Sequence, residues 1–316
     1  MVYLSNSLIS SGVRMYITTS SLEPDYIKAG TGGQERFDLS SFKPENISMC
    51  GIIAYLGEKE LPIAFFLDAM EKMEVLEEEV DRDPLGGHGA GILYISEDGG
   101  VILEKIGHTG KDNDRPAVRL RNELDKKGLL DAKSDVILAH VRRAASQNKH
   151  RTRDKRYSQP YITECIKGRK IAVIHNGYVA NYRELARDFE LPHVFESEDG
   201  PDDFIIDSEI LPHLYEELIA RGDDPLKMLS LTGFNNEGGN TFFVLDIDGR
   251  RSYLFHQGKT RGLFLFRGRD GFLLASRLRP VEEILKRADL PIKAGIEVAP
   301  KTPGSVSIEL PYLDVR

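Results

Sequence analysis

Cys50 is a thiol whose chemistry depends on one bond. It follows Met49 and opens the run CGIIAYLG, a cysteine and glycine ahead of an apolar strand, as at the start of a protein. Acylated on nitrogen by Met49, it is an ordinary cysteine. With a free α-amine it carries a nucleophile and a general base together, a thiol of pKa about 8.5 and an amine of about 8 that is partly neutral near pH 7. Arg142 ends the apolar run DVILAHV and offers a planar fork for a carboxylate. Asn176 and Gly177 follow AVIH, where a side-chain amide and a backbone N–H can converge on one oxygen. Asp207 opens DSEILPHLYEEL, where it reads as an N-cap. Each residue has a plain alternative: a buried strand-start cysteine, a surface ion pair, an Asn-Gly hairpin turn, a cap. The Asn-Gly pair precedes helix-like ANYREL rather than a second strand, which favours chemistry at 176–177.

The elements that must hold these residues can be read from the hydrophobic pattern. CGIIAYLG, 135–141 and 170–175 are strand-like, and GAGILYI and VILEKI flank the turn 97–100 as a hairpin. Leu61–Val80, with Pro62 in its first turn, Ala117–Lys127, Asn181–Phe189, Asp207–Arg221 and Val281–Arg287 have helical spacing. NTFFVLDID, RSYLFHQG, GLFLFRG, DGFLLAS, GIEVA and GSVSIEL return the chain to strands. Antiparallel hairpins with inserted helices give an α+β class. Residues 1–49 are rich in Ser, Gly and Thr without a sustained period, and read as a loosely ordered extension, a propeptide or a mis-assigned start, followed by one domain over 50–316.

Composition narrows the function. The 316 residues carry a net charge of −8, which argues against a dedicated nucleic-acid binder. No stretch suits a membrane span, and the N-terminus lacks the features of a signal peptide. The two cysteines, Cys50 and Cys165, cannot form a disulfide framework, so a reducing cytoplasm is expected.

MCGII (49–53), AHVRRAAS (139–146), IHNGYVANYREL (174–185) and IDSEIL (206–211), in that order, resemble the glutaminase domain of class II glutamine amidotransferases. SQPYI (158–162) resembles the glutaminase half of phosphoribosylpyrophosphate amidotransferase. The resemblance implies an N-terminal-nucleophile hydrolase, a four-layer αββα sandwich with largely antiparallel sheets. It makes Cys50 the nucleophile and Asn176 and Gly177 the oxyanion donors. It assigns the α-carboxylate of L-glutamine to Arg142 rather than Arg143, which is read as a surface ion pair, and the α-ammonium to Asp207. Glu209 is read as a solvated helix face. The basic segment 147–158 takes the place of a mobile loop that closes over glutamine. It also suits an acidic partner or a phosphorylated acceptor.

The chain departs from the family at GGHGAG (86–91), where an arginine-glycine segment is usual. It departs again at Arg143, often an aromatic, and at ASR (275–277), often a serine-glutamate. GGHGAG lacks the residues of a phosphate loop. His88, His140 and His175 lack metal-ligand spacing with Cys165, so no metal and no cofactor are expected, and Cys165 reads as an incidental thiol. With no recognisable second catalytic half, ammonia would pass to a separate synthase subunit, glutamate-synthase-like by resemblance. A homo-oligomer stays open. The competing readings are a non-catalytic regulatory or scaffold subunit and a γ-glutamyl amide hydrolase acting on a small peptide.

Overall fold

The computed structural model describes residues 15–18, 50–76, 84–144, 146–199, 204–233, 239–257, 263–290, 295–298 and 305–310. The strands are β1 (Met15–Thr18), β2 (Gly51–Pro62), β3 (Gly89–Ile95), β4 (Val101–Gly107), β5 (Lys133–Arg142), β6 (Tyr161–Thr163), β7 (Ile171–Asn176), β8 (Asn240–Asp246), β9 (Arg251–Gln257), β10 (Leu263–Arg267), β11 (Gly271–Ala275), β12 (Gly295–Val298) and β13 (Ser305–Leu310). The helices are α1 (Ile63–Glu74), α2 (Pro116–Lys126), α3 (Tyr182–Asp188), α4 (Ile210–Ala220), α5 (Met228–Leu231) and α6 (Glu282–Arg287).

Alternation along the strands builds the layers, because successive side chains point to opposite faces. A seven-stranded sheet runs β12-β10-β11-β2-β5-β3-β4 and a six-stranded sheet runs β1-β13-β9-β8-β7-β6. Every pairing is antiparallel. Ile52, Ala54, Leu56, Val136 and Leu138 of the first sheet meet Ala172, Ile174, Phe243 and Leu245 of the second. The alternate residues Ile53, Tyr55, Ile137 and Ala139 face α1, α2 and α6. Val173, Phe242 and Val244 face α4 and α5. The result is an αββα sandwich. Its interior leucines, isoleucines and phenylalanines are fully buried, each stabilising the fold by roughly 1.5–3 kcal/mol.

The hairpin and the late strands lie where the pattern places them. The first helix does not. After a register shift between Leu56 and Leu61, β2 continues and pairs Leu61 with Ser134 and Pro62 with Lys133. α1 therefore starts at Ile63, whose N–H donates to Ala132 O at 2.9 Å, and it ends at Glu74. Residues 77–80 of the expected helix lie outside the described residues. In the leading extension, Met15–Thr18 forms an edge strand on β13, in register from Met15–Ile308 to Thr18–Ser305. The rest of 1–49 lies outside the described residues.

Candidate active site

Antiparallel pairing puts the start of β2 beside the end of β5, with Gly51 opposite Val141. Cys50 is the residue just before β2, and it touches both sheets. The Arg143 N–H donates to Cys50 Sγ at 3.4 Å, and Sγ also lies 3.6 Å from Arg143 O. The Cys50 N–H donates to Asn176 Oδ1, at the end of β7, at 3.2 Å. Ser276, beyond β11, fixes the next turn of chain: its Oγ accepts from Ile52 N at 3.1 Å, and its N–H donates to Ile52 O at 3.0 Å.

With Oδ1 turned to Cys50, Asn176 Nδ2 is buried and has no hydrogen-bond partner among the described residues. Buried polar groups are normally satisfied, so an orphaned donor beside a thiol marks a place for an acceptor oxygen. Gly177 follows at once. A Cβ there would overlap Asn240 Oδ1 and come within 2.7 Å of His175 Nε2, so only glycine fits this close approach.

Arg142, the last residue of β5, is buried at 7 % exposure, and its Nη1 also has no partner among the described residues. Asp207 begins a 3₁₀ turn, Asp207–Glu209, that leads into α4. Its Oδ2 accepts from Val179 N at 2.9 Å. Burial pushes the Asp207 carboxyl up to about 6, against the opposing pull of the Val179 N–H and the Arg142 charge. The structure thus brings together Cys50, Asn176, Gly177, Arg142 and Asp207 from the ends of β5 and β7 and the starts of β2 and α4. The cluster holds a thiol, an unused amide donor, an unused guanidinium N–H and a desolvated carboxyl.

No family model matches the chain. Its sequence is 28% identical over 73% of its length to glutamine–fructose-6-phosphate aminotransferase (isomerizing) of Helicobacter pylori. It is 32% identical over 54% of its length to the protein of that name from Thermotoga maritima. It covers 32% and 22% of those two relatives. In structure it superposes on the glutamine phosphoribosylpyrophosphate amidotransferase of B. subtilis with a TM-score of 0.54, at 17% identity, over 84% of this chain and 50% of that one. The chain has the amidotransferase fold. It spans about a third or less of the curated relatives and half of the solved chain.

Within this fold, several residues that sequence reasoning did not single out support the predicted ones. Asn240 Oδ1 accepts from Tyr178 N at 2.7 Å, which fixes the orientation of the amide. His175 Nε2, at 2.9 Å from the same oxygen, must therefore carry the proton, and Nδ1 then accepts from Ser208 Oγ at 2.8 Å. The Gln159 side chain spans the His175 backbone, accepting from its N–H at 2.6 Å and donating to its carbonyl at 3.1 Å. Together these contacts lock the turn that presents Asn176 and Gly177. The GGHGAG run serves the same segment: a Cβ at Gly91 would overlap Gln159 O, and one at Gly89 would overlap Ser158 Oγ. Close packing, rather than phosphate binding, accounts for these glycines.

Three expectations change. Glu209 is not a solvated face. It is buried at 2 % exposure and accepts from the N–H groups of Glu196 and Ser197 and from Ser197 Oγ, which holds that loop to the start of α4. Arg143 is not a plain surface residue, because its main chain flanks the thiol and its Nη1 reaches Gly86 O at 3.3 Å. In the basic segment, Arg151 pairs with Asp199 at 3.2 Å and stacks on Phe204 at 3.6 Å, while Arg156 pairs with Asp154 at 2.8 Å. Lys149, Arg153 and Lys155 are exposed. His88, His140 and His175 do not gather around Cys165. Other residues do, namely His193, His213 and Glu216.

Proposed function

We propose that this chain is a glutaminase that hydrolyses L-glutamine to glutamate and ammonia through a γ-glutamyl thioester on Cys50, once Cys50 carries a free α-amine. The observation that carries the proposal is the bridge from Cys50 N to Asn176 Oδ1, which leaves Asn176 Nδ2 buried beside Gly177 with no partner among the described residues. In the uncut chain that nitrogen is an amide and cannot act as a base. As an amine it takes the thiol proton, and the thiolate attacks the side-chain carbonyl carbon of glutamine. The oxyanion accepts hydrogen bonds from Asn176 Nδ2 and the Gly177 N–H. The ammonium form of the α-nitrogen then protonates the leaving nitrogen, and ammonia departs as the thioester forms. Water, deprotonated by the same amine, attacks the thioester. Glutamate leaves, and the thiol recovers its proton. Arg142 holds the α-carboxylate in its fork, and Asp207, as a carboxylate, holds the α-ammonium.

Ammonia passes to a separate synthase subunit, with a glutamate-synthase-like partner as the first to try, and the cytoplasm keeps the thiol reduced. The test compares protein begun at Met49, with the initiator removed, against its Cys50→Ala variant. Ammonia release from glutamine by the first alone supports the proposal, and equal release by both would falsify it.

One observation favours a second reading, a non-catalytic scaffold subunit. Met15–Thr18 pairs with β13 in the second sheet, and in that reading the leader is a permanent extension. The intact mass of the native protein separates the two. A chain beginning at Cys50 supports the enzyme. A chain retaining residues 1–49, inactive even beside its partner, supports the scaffold.

A further inference from the structure

Away from the Cys50 cluster, four side chains from three segments converge on one point. Cys165 lies between β6 and β7, His193 lies between α3 and α4, and His213 and Glu216 lie one turn apart on α4. One ligand atom from each falls within 4.8 Å of all the others. Cys165 Sγ is 3.6 Å from His213 Nδ1, His213 Nδ1 is 3.1 Å from Glu216 Oε2, and His193 Nδ1 is 3.4 Å from the same oxygen. A tetrahedral zinc with Zn–S of about 2.3 Å and Zn–N of about 2.0–2.1 Å needs ligand-to-ligand edges of about 3.3–3.6 Å. The three measured edges lie at or near that range.

We propose that Cys165, His193, His213 and Glu216 form a structural zinc site, with Sγ, the two Nδ1 atoms and Oε2 as its tetrahedral ligands. A second observation points to a ligand. The His193 side chain is 2 % exposed, yet its Nδ1, 3.4 Å from Glu216 Oε2 and aimed into the cluster, has no hydrogen-bond partner among the described residues. The surroundings are those of a metal ligand set. His193 Nε2 lies 3.1 Å from Glu217 Oε1, so a carboxylate orients that ring and fixes its tautomer. Glu216 Oε1 accepts from Cys165 N at 2.7 Å, which turns Oε2 inward. Phe189 packs edge-on against the His193 ring at 4.8 Å, and Phe195 against the His213 ring at 4.4 Å. A thiolate, a carboxylate and two neutral imidazoles balance a divalent cation. Binding breaks the Cys165 S–H bond, sends its proton to solvent and forms the Zn–S bond, with no change of oxidation state. Without the cation, burial pushes the thiol up to about 11. Four protein ligands leave no open position, so the metal is a staple that clamps α4 and the 189–195 loop to the β6–β7 connection. This site does not depend on the glutaminase proposal.

The test is zinc per chain by mass spectrometry of the full chain, grown with zinc and desalted. About one equivalent is expected, with at least tenfold weaker retention in Cys165→Ser and His213→Gln. Glu217→Gln is expected to bind roughly 10–100-fold more weakly, because it removes the group that orients His193. Cobalt in place of zinc is expected to show a thiolate-to-metal charge-transfer band that Cys165→Ser abolishes. Cys50→Ala is expected to keep full zinc stoichiometry, so loss of glutaminase activity and loss of metal read out separately. Circular dichroism of each variant identifies one that has merely failed to fold, and in that case Glu217→Gln and the wild-type cobalt spectrum decide. No more zinc in the wild type than in a folded Cys165→Ser variant, or a cobalt spectrum without the thiolate band, overturns the proposal.

Discussion

At the scale of residues, Asn176 is the most informative side chain, because one end is used and the other is not. Asn176→Ala in protein with a free Cys50 amine is expected to lower kcat about 10²–10³-fold with a small change in KM, since it removes a donor used mainly in the transition state. Steady-state ammonia release measures it. Asp207 supplies a pH prediction. Burial pushes its carboxyl up to about 6, and only the ionised form can hold an ammonium. kcat/KM should therefore fall as pH drops through about 6, and Asp207→Asn should remove that limb along with most of the affinity for glutamine. The stability sign runs the other way. A folded-state pKa raised above the unfolded value means that the ionised form costs the fold above the usual carboxylate range. Asp207→Asn should thus melt at a higher temperature at pH 8 while binding less substrate, and a melt at or below the wild-type value would contradict that sign. The residues proposed for the chemistry stood out through segments that resemble the glutaminase domain, each at a strand or helix end. Ser208 and Gln159 fall inside the quoted IDSEIL and SQPYI segments and Asn240 outside them. The contacts of Asn240, Ser208 and Gln159 with His175 were not legible, because they span 65, 33 and 16 residues and no local pattern records them.

At the scale of elements, strand identity was legible from alternation, and strand order was not. β2 lies between β11 and β5, far from both in sequence. Its extension to Pro62 depends on partners at 133–134 that the local pattern does not reveal. α2 shows a similar dependence. Its N-cap, Arg115, has no side-chain capping bond, and the first turn is held instead by Glu74 at the end of α1. Glu74 Oε1 accepts from Ala117 N at 3.0 Å, and Oε2 meets Arg115 Nε at 3.2 Å. Glu74→Ala should destabilise the protein by about 1–3 kcal/mol in urea unfolding, because it leaves a buried N–H without an acceptor. Gly177→Ala should cost a similar roughly 1–3 kcal/mol, through overlap with Asn240 rather than through a lost bond. It should also abolish ammonia release, because the backbone donor must move to relieve the overlap.

At the scale of the whole molecule, the edge of the second sheet matters. β1 covers the outer side of β13, so protein begun at Met49 exposes a strand edge that the longer chain pairs. Such edges recruit other chains. The shorter protein should therefore self-associate at concentrations where the longer one stays monodisperse, as read by light scattering after size exclusion. The position of Cys50 has a further consequence. Its sulfur rests on Arg143 of one sheet's margin, and its nitrogen rests on Asn176 of the other sheet. The proposed nucleophile and oxyanion donor are thus aligned only while the two sheets keep their relative offset, and that offset is set by the interlocking side chains between them. The reaction centre is in effect a vernier on the sandwich. A slip too small to register in the melting of the fold would already misalign attacking and stabilising atoms. Trimming an inter-sheet side chain such as Leu138 should therefore depress turnover in molecules that are still fully folded.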